Sequence, residues 1–201
     1  MSQTIFATPK KILFSSVLGL GLSLSVQAAQ DPNQFIEKIA NDTLDAIKSN
    51  GAAKSGNIAE INKIVNDYLL PHANLEKTTR LATGAPWRQA SADQKQQLVS
   101  AFKQTLVRTY SGAFKNVNDT AKITLQPFRG NADANDVVVR SVITAANGPV
   151  AVDYRLEKAG DSWKVYDFSV ENIWLVQNYK NQFAGEISKG GIDGLIKSLQ
   201  K

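Results

Sequence analysis

Apolar residues recur at helical spacing through the first half of this chain and at strand spacing through most of the second. Asp31-Pro32 has the form of a helix start, a capping residue followed by proline in the first turn. Phe35, Ile36, Ile39, Leu44 and Ile47 then make one stripe that Gly51 ends. Asn57 opens a second helix with Ile58, Ile61, Ile64, Val65, Tyr68 and Leu69, stopped by Pro71. A short third helix covers Asn74–Thr83 and closes at Gly84. Ser91-Ala92-Asp93-Gln94 has capping-box form and starts a long helix through Leu98, Phe102, Leu106, Thr109, Tyr110 and Phe114. Alternation then predicts strands at Lys122–Phe128, Asp136–Ala145, Val150–Lys158 and Ser162–Val170. Arg129-Gly130-Asn131, Asn147-Gly148-Pro149 and Ala159-Gly160-Asp161 are the turns between them. Asn172 is placed to cap a helix carrying Leu175, Val176, Tyr179 and Phe183. Gly190-Gly191 breaks it before a last amphipathic helix with Ile192, Leu195, Ile196 and Leu199. Helices, then an antiparallel meander, then closing helices define an α+β fold.

The hairpin and helix of Pro149–Phe183 depart from a simple half-wet pattern. Val150, Val152, Tyr154 and Leu156 share one register, and Trp163 and Val165 share one on the return strand. Tyr166, Phe168 and Val170 straddle into the other. Apolar side chains on both faces require a cover on the second face, from helices, a ligand or both.

Charge and composition narrow the setting. Lys10-Lys11, the apolar run Ile12–Leu24 and the small-residue site Val26-Gln27-Ala28 read as a cleavable secretory signal over residues 1–28. Residues 29–201 then form one domain of about 170 residues, enough for a real core. The chain has no cysteine, so neither a lipoprotein anchor nor a disulfide framework is available. Export, one mid-sized domain and no disulfides point to a bacterial periplasm. The formal charge of +5 falls by two with the leader lysines, and no run of Lys or Arg remains, which argues against nucleic acid as a partner.

No catalytic constellation is visible. The one histidine, His72, follows Pro71 at a helix end and lacks the companions a metal site or triad needs. No G-x-S-x-G elbow surrounds a serine. Asp153 alternates against the apolar register and is expected in solvent. Asp167 stands among aromatics, where a carboxylate is either a tuned base or, more simply, half of an ion pair or a cap. The chain reads as a non-enzyme with no cofactor, and its large apolar side chains serve a core, a pocket or both.

At this point the residues themselves carry a resemblance. Tyr68-Leu69-Leu70-Pro71, Gly84-Ala85-Pro86-Trp87-Arg88, Ala90-Ser91 and Leu106-Val107-Arg108-Thr109-Tyr110 form its first part. Val152-Asp153-Tyr154-Arg155-Leu156, Trp163-Lys164-Val165-Tyr166-Asp167, Val170-Glu171, Asn178-Tyr179, Gln182-Phe183 and Gly190-Gly191 form the second. In this order they resemble the MlaC family, the periplasmic phospholipid-binding proteins of the bacterial Mla lipid transport system, also called the toluene-tolerance family. The chain departs from the family pattern at Asn172-Ile173-Trp174, where Gly and Ser are common, and at Thr83-Gly84.

The resemblance implies an NTF2-like fold, a curved antiparallel sheet of about four strands wrapped by N- and C-terminal helices around an apolar pocket. It implies a monomeric carrier whose cargo is phospholipid. The implied partners are an outer-membrane lipoprotein–porin complex and an inner-membrane ABC transporter with a lipid-binding ring, and the implied role is keeping the outer membrane's lipids asymmetric. From strand registers and helix stripes, the expected tail contacts are Val152, Tyr154, Trp163 and Val165 on the sheet. Leu69, Trp87, Phe102, Leu106, Tyr110, Trp174 and Val176 are expected over it. Arg108 and Arg155 are candidates for a phosphate or a partner protein, or else plain surface charges. The rival reading is an NTF2-like enzyme acting on a small apolar substrate, with Asp167 or Glu171 as its acid or base.

Overall fold

Five antiparallel strands lie side by side in chain order: β1 (Lys122–Leu125), β2 (Asp136–Ala145), β3 (Gly148–Ala159), β4 (Ser162–Val170) and β5 (Ile173–Trp174). The computed structural model describes residues 30–131 and 134–201. The expected leader and its cleavage site lie outside the described residues. The sheet has the four expected strands and one short addition, β5. β1 stops at Leu125, before the expected Phe128, although the Gln126 N–H still donates to the Arg140 carbonyl at 2.8 Å.

Among the described residues six α-helices frame the sheet: α1 (Pro32–Ser49), α2 (Gly51–Lys54), α3 (Ile58–Ile64), α4 (Leu75–Thr83), α5 (Ala92–Lys115) and α6 (Leu175–Leu199). Asp31 caps α1 by accepting from the Gln34 N–H at 2.9 Å. The first break falls at Asn50, one residue before Gly51, because the Asn50 side chain accepts from the Ala53 N–H and restarts the helix as α2. The α5 capping box is reciprocal, with Ser91 Oγ accepting from the Gln94 N–H and Gln94 Oε1 from the Ser91 N–H.

The second helix does not reach Leu69 as an α-helix. It widens after Ile64 into a π-helical turn, Val65–Leu69, in which the Leu70 N–H reaches back to the Val65 carbonyl. A 3-10 turn, Leu70–His72, follows. Pro71 has no N–H, and its ring clashes with the carbonyl four residues earlier in an ordinary helix, so the wider turn relieves that clash.

One extra residue in β4 resolves the two-sided hairpin. Arg155 faces Asp167, yet the next residue of β3, Leu156, faces Val165, so Tyr166 is a bulge. The bulge returns Phe168 and Val170 to the face that Trp163 and Val165 occupy. That face carries Ile123 and Leu125 of β1, Val137, Val139, Ser141 and Ile143 of β2, and Val150, Val152, Tyr154 and Leu156 of β3. The opposite face carries Asp136, Arg140, Asp153, Arg155, Glu157, Lys164 and Asp167, with Val138, Val142 and Ala151 among them. The first face is therefore almost wholly apolar, while charged residues predominate on the second, part of which the β5 turn and the start of α6 cover.

The core on the apolar side is divided into three clusters. Phe35, Ile36 and Ile39 of α1 bury Val137, Val139, Leu156 and Trp163. Leu44, Ile47, Ala53, Ile61, Ile64 and Val107 form a second cluster between helices. Trp87, Leu98, Phe102, Leu175, Tyr179, Phe183 and Leu195 form the third, where α5 meets α6. In the third, the Phe102 ring is met edge-on by Tyr179 at 4.7 Å and by Phe183 at 5.0 Å. Each fully buried Leu, Ile or Phe contributes about 1.5–3 kcal/mol over its exposed state.

Candidate functional site

Half-buried apolar side chains mark where the clusters meet. Leu69, Tyr154 and Val165 border the α1 cluster, while Leu106, Tyr110, Phe168 and Val176 border the α5–α6 cluster. Tyr154 and Phe168 are direct partners across β3 and β4, so the boundary runs between them over the centre of the sheet. Tyr110 of α5 closes it from above, its ring 5.4 Å from that of Phe168 at 66°. Burial pushes the Tyr154 phenol up to about 12, although a hydrogen bond with Ser141 works in the other direction. Tyr154 thus lies deep in the protein and is still only half-buried, as a residue beside an interior seam must be.

Six of the eleven expected contacts are half-buried at the cluster borders, Leu69, Tyr154 and Val165 against the α1 cluster and Leu106, Tyr110 and Val176 against the α5–α6 cluster. Trp87 and Phe102 are buried in the α5–α6 cluster, and Trp163 in the α1 cluster. The Trp163 indole N–H donates to the Gln30 carbonyl at 2.7 Å, which ties the start of α1 to the β3–β4 hairpin. Val152 is buried on the apolar face beside them. Trp174 is not brought to the group. It pairs with Ser169 on the opposite face, where the Arg155 guanidinium stacks 4.0 Å from its ring. Sequence reasoning left Phe168 out because the bulge that turns it inward was not visible.

Two clefts among the described residues have volumes of about 260 and 310 Å³. One lies between α5 and the end of α6, beside Gln97, Gln104 and Arg108, and the other is flanked by Asn74, Lys77, Arg80 and Glu157. Neither is lined by seam residues. Apolar walls with nothing between them lower their free energy by meeting each other, and the Tyr110–Phe168 contact is such a meeting.

The charged residues are committed to structure. Asp167 is fully buried, accepting from Arg155 Nη1 at 2.9 Å and from the Val176 N–H at 3.0 Å. It therefore caps α6, the role expected of Asn172. Asn172 and Glu171 instead take positive φ, 65° and 49°, in the two-residue turn between β4 and β5. Desolvation raises the Asp167 carboxyl above its ordinary range, against the pull of Val176 and Arg155. Asp153, expected in solvent, is partly covered and paired with Arg140 at 3.5 Å. Arg108 donates to the Leu199 carbonyl at 2.7 Å at the end of α6. His72 sits edge-on to Phe35 at 5.7 Å, and burial, then Lys164, lowers its pKa. Burial works against the Glu157 charge, but hydrogen bonds from Lys77 and Asn74 outweigh it and hold that carboxyl low.

An open antiparallel sheet with one apolar face, helices across it and an apolar seam between them is the architecture of an α+β ligand-binding domain. A model of the MlaC protein family matches residues 37–201, and the chain belongs to that family. It is similar to the intermembrane phospholipid transport system binding protein MlaC of Haemophilus influenzae, 26% identical over 178 residues, 87% of this chain and 83% of that one. It is similar also to a toluene tolerance protein of Pseudomonas putida, 27% identical over 88% of this chain and 82% of that one. Among solved structures, the phospholipid-binding protein of Ralstonia solanacearum in complex with a phospholipid superimposes with a TM-score of 0.81. The two are 41% identical, and the match covers 85% of this chain and 95% of that one.

Proposed function

We propose that this protein is a periplasmic carrier that binds phospholipid tails in the seam and moves phospholipids between the outer and inner membranes, helping to keep the outer membrane asymmetric. The observation that carries the reading is the divided core, whose seam runs over the middle of the apolar sheet face. A filled structural core has no use for such a boundary. A carrier does, since two acyl chains of about fifteen methylenes each expose about 24 kcal/mol of apolar surface in water. Leu69, Leu106, Tyr110, Tyr154, Val165, Phe168 and Val176 part to admit the tails, and the headgroup stays at the mouth in water. The family membership and the phospholipid bound by the Ralstonia relative support the same reading. Delivery partners on the two membranes, the lipoprotein–porin complex and the ABC transporter, follow from the family alone.

The enzyme reading finds little support in its own candidates. Asp167 lies on the face away from the seam with its oxygens occupied, and the Glu171 carboxylate accepts from the Ala151 N–H at 2.7 Å in an exposed turn. Native mass spectrometry of protein purified from a bacterial periplasm tests the carrier: bound phospholipid is expected, and protein that emerges empty overturns it. The intact mass of the same sample is expected to begin at Ala29, and a retained leader overturns the assignment of residues 1–28 as a cleaved signal.

A further inference from the structure

The end of α6 is set apart from the rest of the helix. Gly190 and Gly191 leave helical geometry, Gly191 at a positive φ, and an added Cβ at either would meet nothing within 4 Å. The break is therefore uncrowded, and its two residues have the backbone freedom a hinge needs. Residues 192–199 fold back from it, close enough that a Cβ at Gly194 would lie 3.7 Å from the Glu186 carbonyl oxygen. Leu195, Ile196 and Leu199 are buried in the cluster that holds Phe102 and Phe183, so the segment bridges α5 and the first part of α6. Side chains of α5 grip it at both ends. Gln94 Nε2 donates to Asp193 Oδ1 at 2.7 Å. Thr105 Oγ1 and Arg108 Nη2 donate to the Leu199 carbonyl at 3.0 and 2.7 Å. The cleft of about 260 Å³ borders that far end, beside Ala101, Gln104 and Arg108, so the segment does not fill its seat there.

We infer that residues 192–199 are a flap, hinged at Gly190-Gly191 and latched by Gln94, Thr105 and Arg108, that must let go of α5 before the seam can open. This rests on the carrier reading above. The first part of α6 is fixed to the sheet, because the Val176 N–H donates to Asp167 at 3.0 Å. The flap ties α5 to that fixed helix. Leu106 and Tyr110 stand on the same turns of α5 as Thr105 and Arg108, but on another face. Tails that part Tyr110 from Phe168 push α5 away from the sheet, and the tie to α6 resists the movement until the flap swings out. Arg108 acts here as a latch and touches no lipid.

The test is the rate at which lipid-stripped protein takes up phospholipid from vesicles of phosphatidylethanolamine and phosphatidylglycerol. The chain has no cysteine, so Gln94→Cys/Asp193→Cys places one thiol on each side of the latch. Tethered by a short reducible bis-thiol reagent, this protein should load at least about tenfold more slowly than before tethering, and reductant should restore the rate. Arg108→Ala loosens the latch and should speed loading by about threefold or more. Unchanged loading on tethering, or unchanged or slower loading in Arg108→Ala, overturns the flap and leaves the carrier standing. A wild type that takes up no lipid overturns the carrier and with it the flap's role in loading. Should a variant not fold, amide exchange of the wild type decides whether the flap opens. Amides of residues 196–199 should exchange through one shared opening, at least about tenfold more frequent than that of residues 179–183. Graded fraying from the chain end, or one opening common to both segments, overturns the flap.

Discussion

Arg155 and Asp167 face each other across β3 and β4, and their ion pair holds the start of α6 against the sheet. The carboxylate reaches the guanidinium with one oxygen and the Val176 N–H with the other. The guanidinium lies over the Trp174 ring, so strand, turn and helix are joined on the face opposite the seam.

Replacing Asp167 should weaken the fold without emptying the seam. Asp167→Ala loses the cap and the pair, and we expect a loss of about 2–3 kcal/mol in urea unfolding. Arg155 is 39% exposed and turns to water when its partner goes, which keeps the loss from being larger. Asp167→Asn retains an acceptor for the Val176 N–H and avoids burying a charge, and should lose about 1 kcal/mol or less. Both variants should copurify with lipid. Loss of lipid from a stably folded Asp167→Asn protein would revive the rival enzyme.

Tyr154 gives the fold an alkaline limit. An acid whose pKa is raised on folding adds stability that is complete below its unfolded pKa and is lost as pH rises through the folded one. The window for Tyr154 therefore opens at the ordinary phenol value of 10.0 and closes at about 12. Over it the wild type should lose at most about 2–3 kcal/mol relative to Tyr154→Phe, which cannot ionise. Parallel stability curves for the two proteins across this window would place the phenol in ordinary solvent.

A charge in the seam should exclude the cargo more than it unsettles the fold. Leu106 is only half-buried, so a carboxylate at Leu106→Glu can stay hydrated when the seam is empty, but not against acyl chains. Lipid per protein should fall by at least about tenfold while the melting temperature moves by a few degrees. The same substitution at exposed Ile58 is the control and should leave loading unchanged. Equal loading of the two proteins would move the tail site away from α5.

The break in α6 should be sensitive at one glycine and not at its neighbour. Gly191 has φ 63° and ψ −159°, a region that only glycine occupies without strain, and an added Cβ there would meet nothing within 4 Å. Gly191→Ala should therefore cost about 1–3 kcal/mol through the backbone alone. Gly190, at φ −145° with the same open surroundings, should accept alanine with little change. Equal denaturation midpoints for the two variants would mean that α6 can straighten.

The elements were legible wherever a local device makes them. The Ser91–Gln94 box, the Asn57 and Asn74 caps and the Gly-containing hairpin turns each act within a few residues. The bulge at Tyr166 was not legible, since one extra residue in a strand leaves no mark in composition, and with it the inward turn of Phe168 was lost. Trp174 was misplaced for a related reason: the two residues of β5 are too few to show a period, and strand pairing alone decides their face. Seam and core could not be separated at Leu106 and Phe102, because both obey the same helical spacing. What distinguishes them is which cluster lies beyond, and that is a property of the assembled fold. Asp167 displaced Asn172 as the cap of α6 because it arrives from a neighbouring strand, beyond the reach of any local pattern.

If tails enter at the seam as proposed, the contact between Tyr110 and Phe168 makes the protein a competitor for its own cargo. An arriving acyl chain must displace aromatic contacts the wall already makes with itself, so the free energy of capture is the difference between two apolar associations. That difference is smaller than the full gain of leaving water. Release is helped by the walls coming back together, so handover to the next acceptor needs no tight grip to be broken.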